Sequence, residues 1–360
     1  MRDDRLVTIQ AGFPVGGRSP AFQEDPLFGY VVRRLMSSVL VILLASFAVF
    51  AIFYLGPSSP AQPVCEGSGR ACTPERLANI EKSMGLDKPV LEAYGTYMKG
   101  VAVGREVVIG AAEYDCGAPC FGISYGTRGE VTDELKERIV PTILIAVGGS
   151  LVFLTVGVGI GIAAAARRGT IGDRALVSGS LLVSSVPYYL LCLLAWLYLT
   201  LKTDIFPTTG YFPLSDGDPF KTFTGLLLPC LVLGVASSPV YARYSRGQMV
   251  DTLGDDFIRT AKAKGLAGRT VLLKHGLRAA IVPIVTIFGL DFGTLLAGTI
   301  FTEKIFDVDG IGVWGLDAIS PPQDLPVLTV TVLIGAVFIV VSNLIVDLVY
   351  GVLDPRVRLG

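Results

Sequence analysis

The chain has 360 residues, a formal net charge of −1, 51% hydrophobic and 17% charged residues, and a mean hydropathy of +0.60. Soluble domains carry about 25% charged residues, so too few polar side chains are present to coat two or three globular surfaces. The balanced charge argues against nucleic-acid binding, and the single histidine, His275, excludes HExxH zinc sites and any chemistry that needs two imidazoles.

Residues 1–30 are polar, with Gly and Pro, and read as a cytoplasmic tail. Residues 31–55 hold the first membrane helix: Leu35 to Leu55 carries no charge and matches the ~20 residues that cross a bilayer. Its Leu, Ile, Val and Phe side chains favour insertion by roughly 4 to 8 kcal/mol. A cleaved signal peptide fits poorly, because a long polar stretch precedes the run and no A-x-A site follows.

Residues 56–140 are too many for a structureless loop and are expected to fold as a small cap. Thr73-Pro74-Glu75 is an N-cap followed by proline; Leu77, Ile80 and Met84 follow at helical spacing and Gly85 closes the helix. A second helix starts near Pro89 with Leu91, Tyr94 and Met98 on one face, and Val131 to Arg138 is an amphipathic lead into the next span. Cys65, Cys72, Cys116 and Cys120 all fall here. In an oxidising compartment they pair most simply as Cys65–Cys72 and Cys116–Cys120, although three connectivities exist; a metal site lacks a nearby histidine. Gly122-Ile123-Ser124-Tyr125-Gly126 matches a GxSxG nucleophile elbow by letter, but His275 lies across the membrane from Ser124, so a turn is expected instead.

Residues 141–350 hold five more spans: Pro141–Ala166, Ala175–Leu201, Thr222–Ala242, Ala279–Thr302 and Leu325–Val346. Pro187, Pro229, Pro239 and Pro283 would break soluble helices, whereas neighbours in a bundle can satisfy the freed carbonyls. Gly157, Gly159 and Gly161, and Gly289 with Gly293, suit close helix contacts. Cys192 and Cys230 read as core residues within spans. Asp291 is the one charge inside a span, at a cost of about 2.5–3.5 kcal/mol at a helix centre. It either lines a substrate path, favouring a cationic group such as a peptide amine, or is a paired structural carboxylate. Asp347 closes the last span as a structural residue.

The loops after spans two and four carry Arg167, Arg168 and Arg174, and Arg243, Arg246, Arg259, Lys262, Lys264, Arg269, Lys274 and Arg278. The opposite short loops carry only Lys202, Lys221 and Lys304, so both termini, including the tail 351–360, are expected in the cytoplasm and the cap outside. Within the loop 243–278, Asp255 to Gly265 places acids early, bases late and a glycine last, the order that suits a helix dipole and a C-cap. With Phe257, Ile258 and Ala261 on one side, it reads either as a short helix that docks in a partner's groove or as a basic loop that holds topology against anionic lipid.

Arg259-Thr260-Ala261-Lys262-Ala263-Lys264-Gly265-Leu266, then Lys274-His275-Gly276-Leu277-Arg278-Ala279-Ala280-Ile281-Val282-Pro283, resembles the EAA loop of ABC-importer membrane subunits, most of all the dipeptide/oligopeptide permease family. Tyr30-Val31-Val32-Arg33-Arg34-Leu35, Met84-Gly85-Leu86-Asp87-Lys88-Pro89, Glu303-Lys304-Ile305-Phe306 with Gly310-Ile311-Gly312, and Asp347 to Arg356 are similar too, so the resemblance covers about residues 30–358. It departs from the usual Glu-Ala-Ala opening, and residues 65–72 and 105–120 and the N-terminal tail look inserted.

The resemblance implies an all-α polytopic fold of six transmembrane helices in the type I importer arrangement, in a bacterial plasma membrane. It further implies a second homologous permease subunit, two ATP-binding subunits or one fused ATPase, an extracytoplasmic peptide-binding protein, and transport by alternating access. ATP and Mg would sit on the partner ATPases, with no cofactor, metal or catalytic residue on this chain; no GxxxxGK[ST] occurs. Carried over by position, Asp256, Arg259, Thr260, Ala261, Lys264 and Gly265 form the ATPase contact. Import of nickel chelates or glutathione is the alternative within the family. An intramembrane enzyme would need a buried nucleophile and base that the sequence lacks, and a self-sufficient channel would leave the docking loop without a purpose.

Overall fold

A computed structural model describes residues 27–353, apart from short stretches at 57–58, 60, 67–70, 84–85, 110–111, 208, 214–217 and 321–322. The readings made above for the N-terminal tail, for Met84 and Gly85, and for the residues from Asp354 onward lie outside the described residues.

Five helices are long and apolar enough to cross a bilayer: Val32–Tyr54, Val131–Ala166, Pro219–Thr252, Gly268–Leu296 and Leu325–Leu348. These are spans one, two, four, five and six. The expected third span is instead a pair of helices, Ile171–Ser185 and Tyr188–Lys202, bent by 89°. Pro187 makes the break: the residue before a proline is driven out of the helical region, and Val186 is extended at φ −83°, ψ 127°. Pro141, Pro229, Pro239 and Pro283, by contrast, lie within continuous helices.

The bent pair still carries the chain from one end of the bundle to the other. At its start Asp173 pairs with Arg246, near the end of span four. Just after it, Gly210 lies against Gly225, near the start of span four. Those two contacts are about 30 Å apart along the helix. Arg34 at the start of span one meets Asp347 at the end of span six at 2.9 Å, so both of those ends lie together.

Spans two and four pack closely because small residues let their backbones approach. A side chain at Gly149 would strike Leu233, and one at Gly161 would strike Ser245 and the Ala242 carbonyl. Gly289 and Gly293 play the same part for span five against Val346 and Ile339 of span six, whereas Gly159 touches no neighbour.

The cap contains helices Gln62–Glu66, Pro74–Ser83 and Val90–Val103, and an antiparallel hairpin of β1 (Arg105–Ile109) and β2 (Ala112–Cys116). The hairpin is a departure from an all-helical chain, and it occupies part of the stretch that looked inserted. Thr73 caps its helix as read, accepting from the Arg76 N–H. The second cap helix turns a different face inward: Leu91 is exposed, while Tyr97 and Gly100 are buried and Tyr94 packs edge-on against Phe47 of span one. The sulfurs of Cys65 and Cys72 lie 2.04 Å apart, and those of Cys116 and Cys120 2.10 Å apart, beside Val64, Ile109 and Ile123.

Candidate functional site

At the end of the bundle away from the cap, the loop between spans four and five carries the helix Asp256–Ala263. Ile258 and Ala261 are buried against Val271 and Leu253, three residues apart on one helix face. Phe257 is turned away and is 46% exposed, so the apolar side is narrower than the sequence suggested. Asp256, Arg259, Thr260, Lys264 and Gly265 are all exposed, whereas Ala261 faces inward. Gly265 closes the helix at φ +77°, donating its N–H to the Lys262 carbonyl at 3.0 Å. The loop then enters span five, where Gly276 lies beside Leu253 and Met249 at the end of span four. A force on the short helix therefore reaches both spans through buried contacts.

Beside it, Arg246 donates through Nε and a terminal nitrogen to the two Asp173 oxygens at 2.6 and 2.7 Å. Asp173 also accepts from the Gly169 N–H at 3.0 Å. This fork was not legible in the sequence, since its partners lie 73 residues apart.

Midway along the bundle, a cavity of about 660 Å³ is lined by the broken helix pair and by spans two, four and five. Val186 and Pro187 form part of its wall. Irregular backbone at membrane depth is tolerated where it lines a cavity, which accounts for the break at this proline alone. Asp291 is the one charged residue among the described lining residues, and it accepts a hydrogen bond from the Tyr241 hydroxyl at 2.8 Å. Tyr241 in turn stacks on Phe153, with ring centroids 4.5 Å apart. Asp291 is thus both partnered and open to the cavity, so the two readings of it are compatible.

The cap end holds two buried polar clusters. Glu303 is fully buried on the short helix Ile300–Ile305. It accepts from the hydroxyls of Thr142 at 2.9 Å and Thr299 at 3.3 Å and from the Val313 N–H at 2.9 Å, while the Ile311 N–H donates to Thr142. A Cβ on Gly310 would sit 2.3 Å from the Glu303 carboxyl carbon, so the glycine is required there. Burial pushes the Glu303 carboxyl above the usual carboxylate range. In the second cluster Ser124, inside the GxSxG letters, donates to Asp324 Oδ2 at 2.5 Å, and the Gly126 N–H donates to the same oxygen at 3.0 Å. The serine is a pin between the cap and the start of span six, far from His275.

These features define a helical membrane protein with a cavity, a broken helix beside it and an exposed charged helix at one end. Two family models match: the binding-protein-dependent transport system inner membrane component over residues 157–359, and its N-terminal region over residues 27–146. A probable peptide ABC transporter permease, y4tP of Sinorhizobium fredii, is 34% identical over 91% of this chain and 99% of its own length. The dipeptide transport system permease DppB of Escherichia coli is 34% identical over 91% and 98%, and the glutathione transport system permease GsiC of Salmonella choleraesuis 32% over 92% and 99%. Among solved structures, a chain of the MetNI methionine ABC transporter, in inward-facing conformations, matches with a TM-score of 0.51 at 14% identity, covering 62% of this chain and 97% of that one. That likeness concerns the fold, which is the type I importer permease arrangement. The chain belongs to the binding-protein-dependent transport system inner membrane component family; it is a non-catalytic permease subunit.

Proposed function

We propose that this chain forms half of the pore of an ATP-driven importer of di- and oligopeptides, with the cap outside the cell and both termini in the cytoplasm. A second homologous permease subunit forms the other half, two ATP-binding subunits or one fused ATPase carry ATP and Mg, and an extracytoplasmic binding protein delivers the peptide. The observation that carries this reading is the exposed helix Asp256–Ala263, anchored through Ile258 and Ala261 to the ends of spans four and five. Phe257, Arg259, Thr260 and Lys264 contact the ATPase, and Gly265 sets the turn that presents them. ATP binding shifts the bundle because the partner's grip on this helix differs between the inward-open and outward-open states.

The cavity beside Asp291 receives the peptide, and the carboxylate, the one charge among the described residues of a largely apolar wall, attracts its amine. Glutathione, with its own free amine, is the second substrate to assay, given the GsiC likeness.

The test is to purify the tagged chain with its partners in mild detergent and measure ATPase activity with and without peptide-loaded binding protein. Stimulation that is lost in Arg259→Glu is the expected result. Full stimulation in that variant, or no ATPase accompanying the chain, would overturn the reading.

A further inference from the structure

The break in span three leaves backbone unpaired in the wall of the cavity beside Asp291. The last four carbonyls of a helix have no partner within it, and for Ile171–Ser185 each of the four can be followed. The Ser185 hydroxyl donates to the Leu182 carbonyl at 2.7 Å, and the Val186 N–H donates to the Val183 carbonyl at 3.4 Å. The carbonyls of Ser184 and Ser185 accept nothing among the described residues. In a continuous helix the N–H groups of Tyr188 and Tyr189 would serve them, but the 89° bend carries those groups away. Helix carbonyls point along the axis toward its C-terminal end, so these two face the space that the bend opens.

The whole stretch from Val183 to Tyr188 lines the cavity, as does Asp291. Asp291 Oδ2 takes the Tyr241 hydroxyl, whereas Oδ1 accepts from nothing among the described residues. One wall therefore combines a carboxylate with the negative end of a 15-residue helix. Unpaired carbonyls at membrane depth need a donor from a cavity. A cation that carries several N–H donors answers both the charge and the carbonyls. A quaternary ammonium answers the charge alone, and a bare metal ion would leave most of the 660 Å³ empty.

We propose that the Ser184 and Ser185 carbonyls and Asp291 Oδ1 together hold a primary ammonium, the free amino terminus of the translocated peptide, and that its hydrogen-bond donors, beyond its charge, are what the cavity selects. An ammonium has three donors, one for each of these oxygens. The proposal rests on the reading of this cavity as the peptide site and adds the backbone of the broken helix to it. Pro187 is a positioning residue, which keeps the two carbonyls out of a helical ladder.

The test uses the purified complex of the full chain and its partners in detergent, without the binding protein, whose own selection would otherwise enter. Binding of radiolabelled dialanine is measured by equilibrium dialysis, with N-trimethylated and N-acetylated dialanine as competitors. Wild type is expected to bind the trimethylated form, which keeps the charge and lacks the donors, about tenfold more weakly than dialanine, as for loss of one charge-assisted bond. The acetylated form, without the charge, binds more weakly still. Pro187→Ala lets the ladder close across the break, and the preference for dialanine over the trimethylated form should shrink to about threefold or less. Equal binding of those two peptides by wild type would overturn the backbone site and leave Asp291 acting by charge. An unchanged preference in Pro187→Ala would also overturn it, because the bulk of the methyl groups would then be the cause. If Pro187→Ala does not fold, the wild-type series decides between donors and charge. Absence of dialanine binding, or binding that Asp291→Asn leaves unaltered, would remove the cavity reading itself and this proposal with it.

Discussion

The two ends of this bundle hold their polar groups in opposite ways. At the cap end Glu303, Thr142, Ser124 and Asp324 are buried and bonded across elements far apart in sequence. At the other end the acids and bases of Asp256–Ala263 face solvent, and two buried apolar side chains, Ile258 and Ala261, hold the helix down. Buried polar clusters lock an arrangement, because breaking one leaves desolvated groups unpaired. An exposed charged helix on a short apolar anchor does not need its charges to fold. The comparison teaches that one end is a fixed frame and the other a handle.

The largest expected effect breaks the frame. Glu303→Ala strands Thr142 and the Val313 N–H, costing about 1–3 kcal/mol for each group left unsatisfied, and is read as a fall in thermal unfolding midpoint in detergent. Glu303→Gln keeps an acceptor and costs less. Because burial raises the folded carboxyl's pKa, the folded state holds its proton to higher pH than the unfolded one. The stability that this group contributes is therefore full below the ordinary carboxylate value, about 4.3, and declines as pH rises through the folded value. Glu303→Gln removes that slope, and an unchanged pH profile would contradict it.

Asp173→Asn tests the fork at the other end. Removing the charge loses the two-pronged bond to Arg246 but strands only a part-exposed guanidinium that water can reach. The unfolding midpoint should fall less than in Glu303→Ala.

The handle responds differently. Arg259→Glu should leave the unfolding midpoint within about 0.5 kcal/mol of wild type while peptide uptake falls about tenfold, equivalent to roughly 1.4 kcal/mol of lost coupling. A matching loss of stability would move that residue to the frame. The smallest expected effect is at the cavity: Asp291→Asn keeps the Tyr241 bond and changes apparent affinity for cationic peptides about threefold, within the modest range of exposed ion pairs. Unchanged uptake across peptides of different charge would leave Asp291 structural.

Span positions were legible because charge-free runs of bilayer length admit few other readings. The helix Asp256–Ala263 was legible too, since acid, base and glycine order is a local signal. The break at Pro187 was not: four other prolines in spans look alike in sequence, and only the cavity beside Val186 distinguishes this one. Glu303 and the Asp173–Arg246 fork depend on partners 161 and 73 residues away, which no local pattern encodes. The hairpin left a faint trace, the β-branched run Val107-Val108-Ile109 before Gly110, which strand propensity with a turn residue could have raised.

The most direct test of the central claim is site-specific crosslinking from single cysteines introduced as Thr260→Cys and Glu106→Cys, both at exposed positions and in the same background. With a partner ATPase present, Thr260→Cys should crosslink to the ATPase and Glu106→Cys should not. A crosslink from Glu106→Cys, or none from Thr260→Cys in a transport-active complex, would contradict the account.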